Sequence, residues 1–174
     1  MDINKYFQAY EPSISHDSYS NEGLSSYVDF YDDHFDKDVT DYELYIIGVP
    51  EGRLSLKNDA CFSAPDEIRN SFYELYPGDW SLKVLDLGNI KLGDKIEDTY
   101  IAVEEVLSYF ILNDKIVLVL GGGHDLINSL YRGHCKAGKP LNFASADAYL
   151  DFQDGETYHS RSFLSRLISS KEAL

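Results

Sequence analysis

The sequence predicts an α/β domain of three layers, αβα, built on a mostly parallel sheet. Two runs, Leu44–Val49 and Ile116–Leu120, are apolar throughout and of strand length, the pattern of strands covered on both faces. Apolar residues elsewhere recur at helical spacing, first Ile68, Phe72 and Leu75, then Ile101, Val103, Val106, Leu107, Phe110 and Ile111. Strand and helix patterns also alternate along the chain, the rhythm of parallel strands joined by crossover helices.

Each element has its own signals. Leu44-Tyr45-Ile46-Ile47-Gly48-Val49 forms the first strand and Pro50 stops it. A loop rich in Gly, Asn and Asp runs to Ser63, which can cap a helix. Pro65 is tolerated in that helix's first turn, Asp66 and Glu67 suit its positive end, and Pro77-Gly78 closes the segment. Leu82–Asp86 forms a second strand, and Asp98-Thr99 opens the second helix. Ile116–Leu120 is the third strand, with a third helix from about Asp125 to Cys135. Leu141–Ser145 is expected as a fourth strand, and a fourth helix starts at Phe163.

Residues 1–41 differ in composition from residues 42–174, which hold the α/β domain. Asp29, Asp32, Asp33, Asp36, Asp38 and Asp41 crowd the first zone, yet Tyr6, Phe7, Tyr10, Tyr27, Phe30, Tyr31 and Phe35 recur among them. A disordered acidic tail is poor in aromatics, so this zone reads as an arm with its rings on the domain and its carboxylates in water. The calcium-loop spacing of acids and glycine is absent.

A chain of 174 residues can bury one substantial core, and no apolar run approaches a membrane span. The start has neither a basic region nor an apolar stretch, so no secretory signal is expected. Cys61 and Cys135 fit two reduced thiols in a cytoplasmic protein. A net charge of −15 argues against nucleic acid and anionic membrane as partners.

The chemistry-bearing residues follow the last two strands. Gly121-Gly122-Gly123 permits a tight turn after the third strand and delivers His124 to the start of a helix. After the fourth, Asp147, Tyr149 and Asp151 alternate, so an extended chain would put all three on one side. Imidazole with carboxylates suits a divalent metal such as manganese. Each motif taken alone also fits ordinary turn chemistry. A phosphate loop is excluded, since neither Gly-x-Gly-x-x-Gly nor a Gly-Lys-Ser/Thr ending occurs.

Together these motifs resemble those of the arginase (ureohydrolase) family: Gly-Gly-x-His, then Asp-Ala-His-x-Asp. The resemblance extends to Gly48-Val49-Pro50, Asn58, Cys61, Ala64-Pro65, Ile68-Arg69 and Asp86-Leu87-Gly88. It is closest to the formimidoylglutamase branch in the acidic residue after Gly-Gly-Gly-His, here Asp125. It implies an arginase-like sheet, incomplete at its carboxyl end, and a manganese-dependent hydrolase of linear amidine or guanidine C–N bonds. His124, Asp147 and Asp151 match the ligands of the family's first metal. Tyr149 stands where the family has the histidine of the second metal, and a phenol with a pKa near ~10 is a poorer donor than imidazole.

Two aspartates from a later Asp-x-Asp strand, and the histidine of a Ser-Gly-Asn-x-His segment, have no counterpart in these 174 residues; Ser160–Leu164 occupies the latter stretch. The resemblance therefore implies at most one manganese in this chain, no assigned catalytic or substrate-binding residue, and inactivity of the chain by itself. If active, the protein would act on a small guanidino or amidino compound. The alternative is a non-catalytic relative serving as a binding or assembly module. A homo-oligomer is expected, because an incomplete sheet leaves strand edges open. His134, late in its helix, suits the negative end of the dipole. His159 is a loop histidine or a substitute donor, and Arg69 is expected to pair with a carboxylate.

Overall fold

The computed structural model describes residues 2–11, 23–32, 34–79, 81–153 and 159–169. In chain order the elements are α1 (Ile3–Tyr6), β1 (Phe7–Gln8), β2 (Val28–Phe30), β3 (Leu44–Val49), α2 (Ala64–Phe72), β4 (Val84–Ile90), α3 (Ile96–Leu112), β5 (Ile116–Gly121), α4 (Ile127–Ala137) and α5 (Phe163–Ser169). β4 and β5 flank β3, each parallel to it. The outer edge of β4 takes β2 in parallel at its start and β1 antiparallel at its end.

Two apolar clusters cover the sheet. Tyr45, Ile47, Leu85, Leu87 and Val49 face Val103, Val106, Leu107 and Phe110 of α3, with Leu126 and Leu130 at the start of the α4 segment. Leu44, Ile46, Val84 and Leu120 face the other way, toward Phe72 and Tyr73 at the end of α2. Helices on both faces of a mostly parallel sheet make the three-layer αβα arrangement that the sequence predicts. Burial of a side chain such as Ile47, Leu85 or Phe110 contributes about 1.5–3 kcal/mol before entropy is counted.

Helix boundaries follow local chemistry. Asp98 lies two residues inside α3 rather than at its mouth, where its carboxylate accepts the Lys95 N–H at 3.2 Å, half of a capping box. α4 is entered through a 3₁₀ turn, His124–Leu126, and ends at Gly138, whose φ of +64° suits a residue without Cβ. α2 ends at Phe72, short of Leu75, which is exposed.

The arm does more than cover the domain. Phe7, Tyr10, Leu24 and Val28 are buried, and Tyr6, Tyr31 and Phe35 pack on the α3 side of the sheet. Tyr6 donates to Glu105 at 2.5 Å. Asp32, Asp36, Asp38 and Asp41 are exposed, and Asp33 lies outside the described residues. Asp29 is half-buried: burial would raise its carboxyl, but hydrogen bonds from Lys37 and Tyr42 hold it below the ordinary value. A lowered folded pKa stabilises above the unfolded pKa, and the stabilisation is lost as pH falls through the folded one. Asp29→Asn should accordingly lower the thermal midpoint at neutral pH and leave it unchanged near pH 2, as read by circular dichroism.

Two strands differ from expectation: the one read at Leu82–Asp86 runs from Val84 to Ile90, and the fourth does not form. Leu141–Ser145 is not a strand: the segment has no sheet partner, and Leu141 and Phe143 are exposed. A strand exists only through its neighbours, and the chain does not return this run to β5. β5 is consequently the sheet edge, with Ile116 56% exposed.

Candidate metal centre

The Gly48-Val49-Pro50 and Gly-Gly-Gly-His motifs form a single contact. Gly123 donates its N–H to the Glu51 carbonyl at 2.8 Å, and the Gly122 N–H reaches the Val49 carbonyl at 3.4 Å. A Cβ on Gly122 would lie 2.3 Å from the Glu51 carbonyl oxygen and 2.7 Å from that of Val49. Only glycine lets the two loops approach so closely. The turn thereby leaves the carboxyl end of β5 with a set direction, and His124 emerges from it half-exposed.

His124 meets both aspartates predicted from the sequence. Its Nδ1 is 2.8 Å from Asp151 Oδ2 and 3.2 Å from Asp147 Oδ2, and one donor atom from each of the three residues lies within 4.8 Å of the others. The ring also meets Phe163 of α5 edge-on, with centroids 6.3 Å apart. Bonds of ~2.1 Å to an octahedral ion place adjacent donors about 3 Å apart, so the spacing fits a divalent cation. Among the described residues this is the one group of His, Cys, Asp and Glu so arranged.

Strand alternation does not bring the carboxylates together. Asp147 Oδ1 accepts the Tyr149 N–H at 3.0 Å, folding the segment into an Asx turn, and Asp151 sits in the left-handed region at φ +44°. Tyr149 consequently leaves the side shared by the two aspartates. Its ring is 71% exposed and lies beneath the Arg161 guanidinium, 5.6 Å away. Asp151 is buried, and its carbonyl accepts the Leu164 N–H at 3.3 Å. Gln153 N–H bonds to the Arg161 carbonyl at 3.0 Å, and Ser160 N–H to that of Leu54 at 3.2 Å. The segment leading into α5 thus clamps the aspartate loop against the loop after β3.

A pocket of about 240 Å³ opens over the trio, lined also by Ser55, Asn58, Ser160 and Arg161. Residue type and spacing singled out none of these four, but the resemblance included Asn58 and set Ser160 and Arg161 in the stretch of the family's Ser-Gly-Asn-x-His segment; Ser55 had only the polar composition of the loop after β3 as a signal. His159 is not brought into the trio: its Nδ1 accepts the Arg161 N–H at 3.2 Å. His134, in the last turn of α4, does not line the pocket.

Two buried polar groups support the site from below. Asp125 is 1% exposed, and one of its carboxylate oxygens accepts from Tyr100 at 2.5 Å. Burial pushes its carboxyl up, and the Glu51 charge adds to this, while the Tyr100 hydrogen bond opposes it. Glu51, fully buried, is forked by Arg53, which continues to Thr99 and the carbonyls of Gly93 and Asp94. On the other face Arg69 pairs with a carboxylate as expected. Its Nε and Nη2 reach Asp86 at 2.7 and 2.9 Å, and it also bonds to Asn89, Asp66 and the Gly88 carbonyl. Burial would lower the Arg69 guanidinium, but Asp86 beside it holds it above the ordinary value. Tyr73 donates to the same carboxylate; burial first, then the Asp86 charge, raise its phenol.

Solved structures share this architecture. Formiminoglutamase from Trypanosoma cruzi, solved with manganese, superposes with a TM-score of 0.68 at 20% identity, over 76% of this chain and 49% of that one. Formimidoylglutamase from Bacillus subtilis gives 0.69 at 18%, over 99% and 55%. Agmatine ureohydrolase from Thermoplasma volcanium gives 0.63 at 20%, over 91% and 52%. This chain spans about half the length of those structures. No curated protein matches the sequence. The model of the arginase family matches residues 42–172. That match takes in both donor motifs and most of the sheet, and the chain therefore belongs to the arginase family.

Proposed function

We propose that this chain carries part of a manganese-dependent centre for hydrolysing C–N bonds of linear amidines or guanidines, and that these 174 residues alone do not complete it. The observation that carries the reading is the convergence of one imidazole and two carboxylates at the carboxyl end of β5, the side on which parallel sheets bind ligands. A divalent ion held by His124, Asp147 and Asp151 would supply Lewis acidity and activate water at neutral pH. The residues divide the remaining work. Phe163 sets the plane of the imidazole, and the left-handed backbone at Asp151 aims its carboxylate at His124. Asp147 spends one oxygen on the Tyr149 N–H and keeps the other for the centre.

Three donors supply half of an octahedral shell, and Tyr149, exposed beneath Arg161, adds none at the position of the family's second-metal histidine. That placement favours a second reading, a relative that binds without turnover. After dialysis against manganese, the chain should retain at most one ion per copy. Assays with arginine, agmatine and formimidoylglutamate should show no useful turnover, and Tyr149→His should not restore it. Two tightly held ions, or turnover on the usual enzyme scale of about 1 s⁻¹ or more, would overturn the proposal.

The open edge of β5 motivates a homo-oligomer. Ile116 donates its N–H toward β3, so Val117, Val119 and Gly121 direct theirs to the free edge, where no described strand pairs. Unpaired edges of this kind recruit another chain. Light scattering should show self-association rising with concentration, and Val119→Pro, which removes one edge donor, should weaken it. A monomer at every concentration would refute this.

A further inference from the structure

We infer that a second crevice at the carboxyl end of the sheet, on the side of β3 away from the candidate metal centre, is a binding site for a small organic cation with an apolar body. The inference stands without the manganese reading.

The crevice follows from the topology. The chain leaves β3 toward the α2 face of the sheet, but leaves β4 and β5 toward the face covered by α3 and α4. Neighbouring strands whose connections depart to opposite faces leave a gap beyond their carboxyl ends, where such sheets take ligands. β3 has a neighbour of this kind on each side. The gap against β5 holds His124, Asp147 and Asp151. The gap against β4 is a pocket of about 620 Å³ between the loop after β3 and Leu92-Gly93 after β4, a size that suits a small molecule.

Its walls are set by the chain itself. A Cβ on Gly52 would lie 2.7 Å from the Asp59 carbonyl oxygen, and one on Gly93 would lie 2.3 Å from Asp98 Cβ. The first loop is thus folded onto its own 3₁₀ turn, Asp59–Ser63, and the second onto the start of α3. Arg53 ties the two loops together. Its Nη1 donates to the carbonyls of Gly93 and Asp94 at 3.2 and 3.1 Å, while Nε and Nη2 serve Glu51 and Thr99. These contacts engage all five guanidinium donors and neutralise Glu51. Arg53 therefore offers nothing to an anion.

The charge left on the lining is the carboxylate of Asp59, which is exposed. Phe62 and Leu92 line the same pocket with 59% and 47% of their surface in water. Large apolar side chains at a pocket mouth gain by covering an apolar body. The carboxylate selects a positive end, and the face of a phenyl ring attracts a cation as well. The net charge of −15 biases the surface the same way.

Phenethylammonium is the probe, titrated calorimetrically into the metal-free chain at neutral pH, where an alkyl amine carries its charge. The wild type should bind it saturably, with a Kd of about 1 mM or below. Asp59→Asn should weaken binding about fivefold, the upper end of what an exposed ion pair contributes. Phe62→Ala should weaken it about threefold through the lost ring face. Both side chains are exposed, so thermal midpoints should stay near that of the wild type. Hydrocinnamate, of the same shape and opposite charge, should not bind. Asp147→Asn should leave the affinity unchanged, which separates this crevice from the one that holds His124. Four results would each overturn the site: no saturable binding to the wild type, unchanged affinity in Asp59→Asn or Phe62→Ala, binding of hydrocinnamate, or a loss in Asp147→Asn equal to that in Asp59→Asn. The titration contains no manganese, so none of these results decides the manganese reading.

Discussion

Arg69→Ala should lower the free energy of unfolding by about 3–5 kcal/mol, the usual cost of stripping one partner from a buried ion pair. The guanidinium is fully buried. Its removal leaves Asp86 charged, desolvated and without two of its hydrogen bonds, and leaves the Gly88 carbonyl without its donor. Tyr73 and the Gly88 N–H would still donate to Asp86, but two neutral donors do not replace a charged bidentate fork. Against a total stability of about 5–15 kcal/mol, such a loss puts the variant near the edge of folding at physiological temperature. Urea denaturation of the two proteins decides it, and a difference under about 1 kcal/mol would mean that the charge on Asp86 finds water or another partner. Arg69 lies in α2 and Asp86 in β4, so the pair also explains why Ile68-Arg69 and Asp86-Leu87-Gly88 belong together: one clamps the other across the sheet face.

His124→Ala should abolish measurable manganese binding while leaving the fold intact. It removes the imidazole and with it one of three protein donors, a larger loss than the ~10–100-fold that changes in outer-shell partners cost. The two remaining carboxylates would repel each other without the ring between them. The side chain is half-exposed and meets Phe163 edge-on, but its Nδ1 is also the 2.8 Å polar partner of the buried Asp151 carboxylate. Stability should therefore fall by about 1–3 kcal/mol, the cost of leaving that group unpaired, with the chain still folded. Calorimetric titration with manganese, wild type against variant, is the measurement. Unchanged affinity would place the ion elsewhere and remove the basis for the proposed function.

Sequence and structure agree where the signal is local. β3 has the bounds read from its apolar run, and β5 extends that reading by Gly121 alone. A buried parallel strand must be apolar on both faces, and that pattern needs no knowledge of its neighbours. The candidate donors were legible for a similar reason. A histidine after a glycine turn and two aspartates four apart are defined by residue type and spacing, and the resemblance placed them in order. The means of their convergence was not legible. Tyr149, grouped with Asp147 and Asp151 by alternation, turns away because the Asx turn at Asp147 and the left-handed Asp151 break the extended chain. An alternating pattern implies one shared side only when a strand forms.

By itself, then, the sequence determined the αβα class, the strands that flank the candidate site and the three side chains, His124, Asp147 and Asp151, that meet there. These follow from hydrophobic periodicity and side-chain chemistry within a few residues. Only the tertiary structure decided which strands exist as pairs: β1 and β2, too short to show any period, form because the outer edge of β4 accepts them, while Leu141–Ser145 stays unpaired because nothing meets it. It also decided that Arg161 lies over Tyr149 and beside the donors, twelve residues away in the chain. Strand pairing and the meeting of loops depend on contacts between distant residues, each formed at a cost in chain entropy that local pattern does not record.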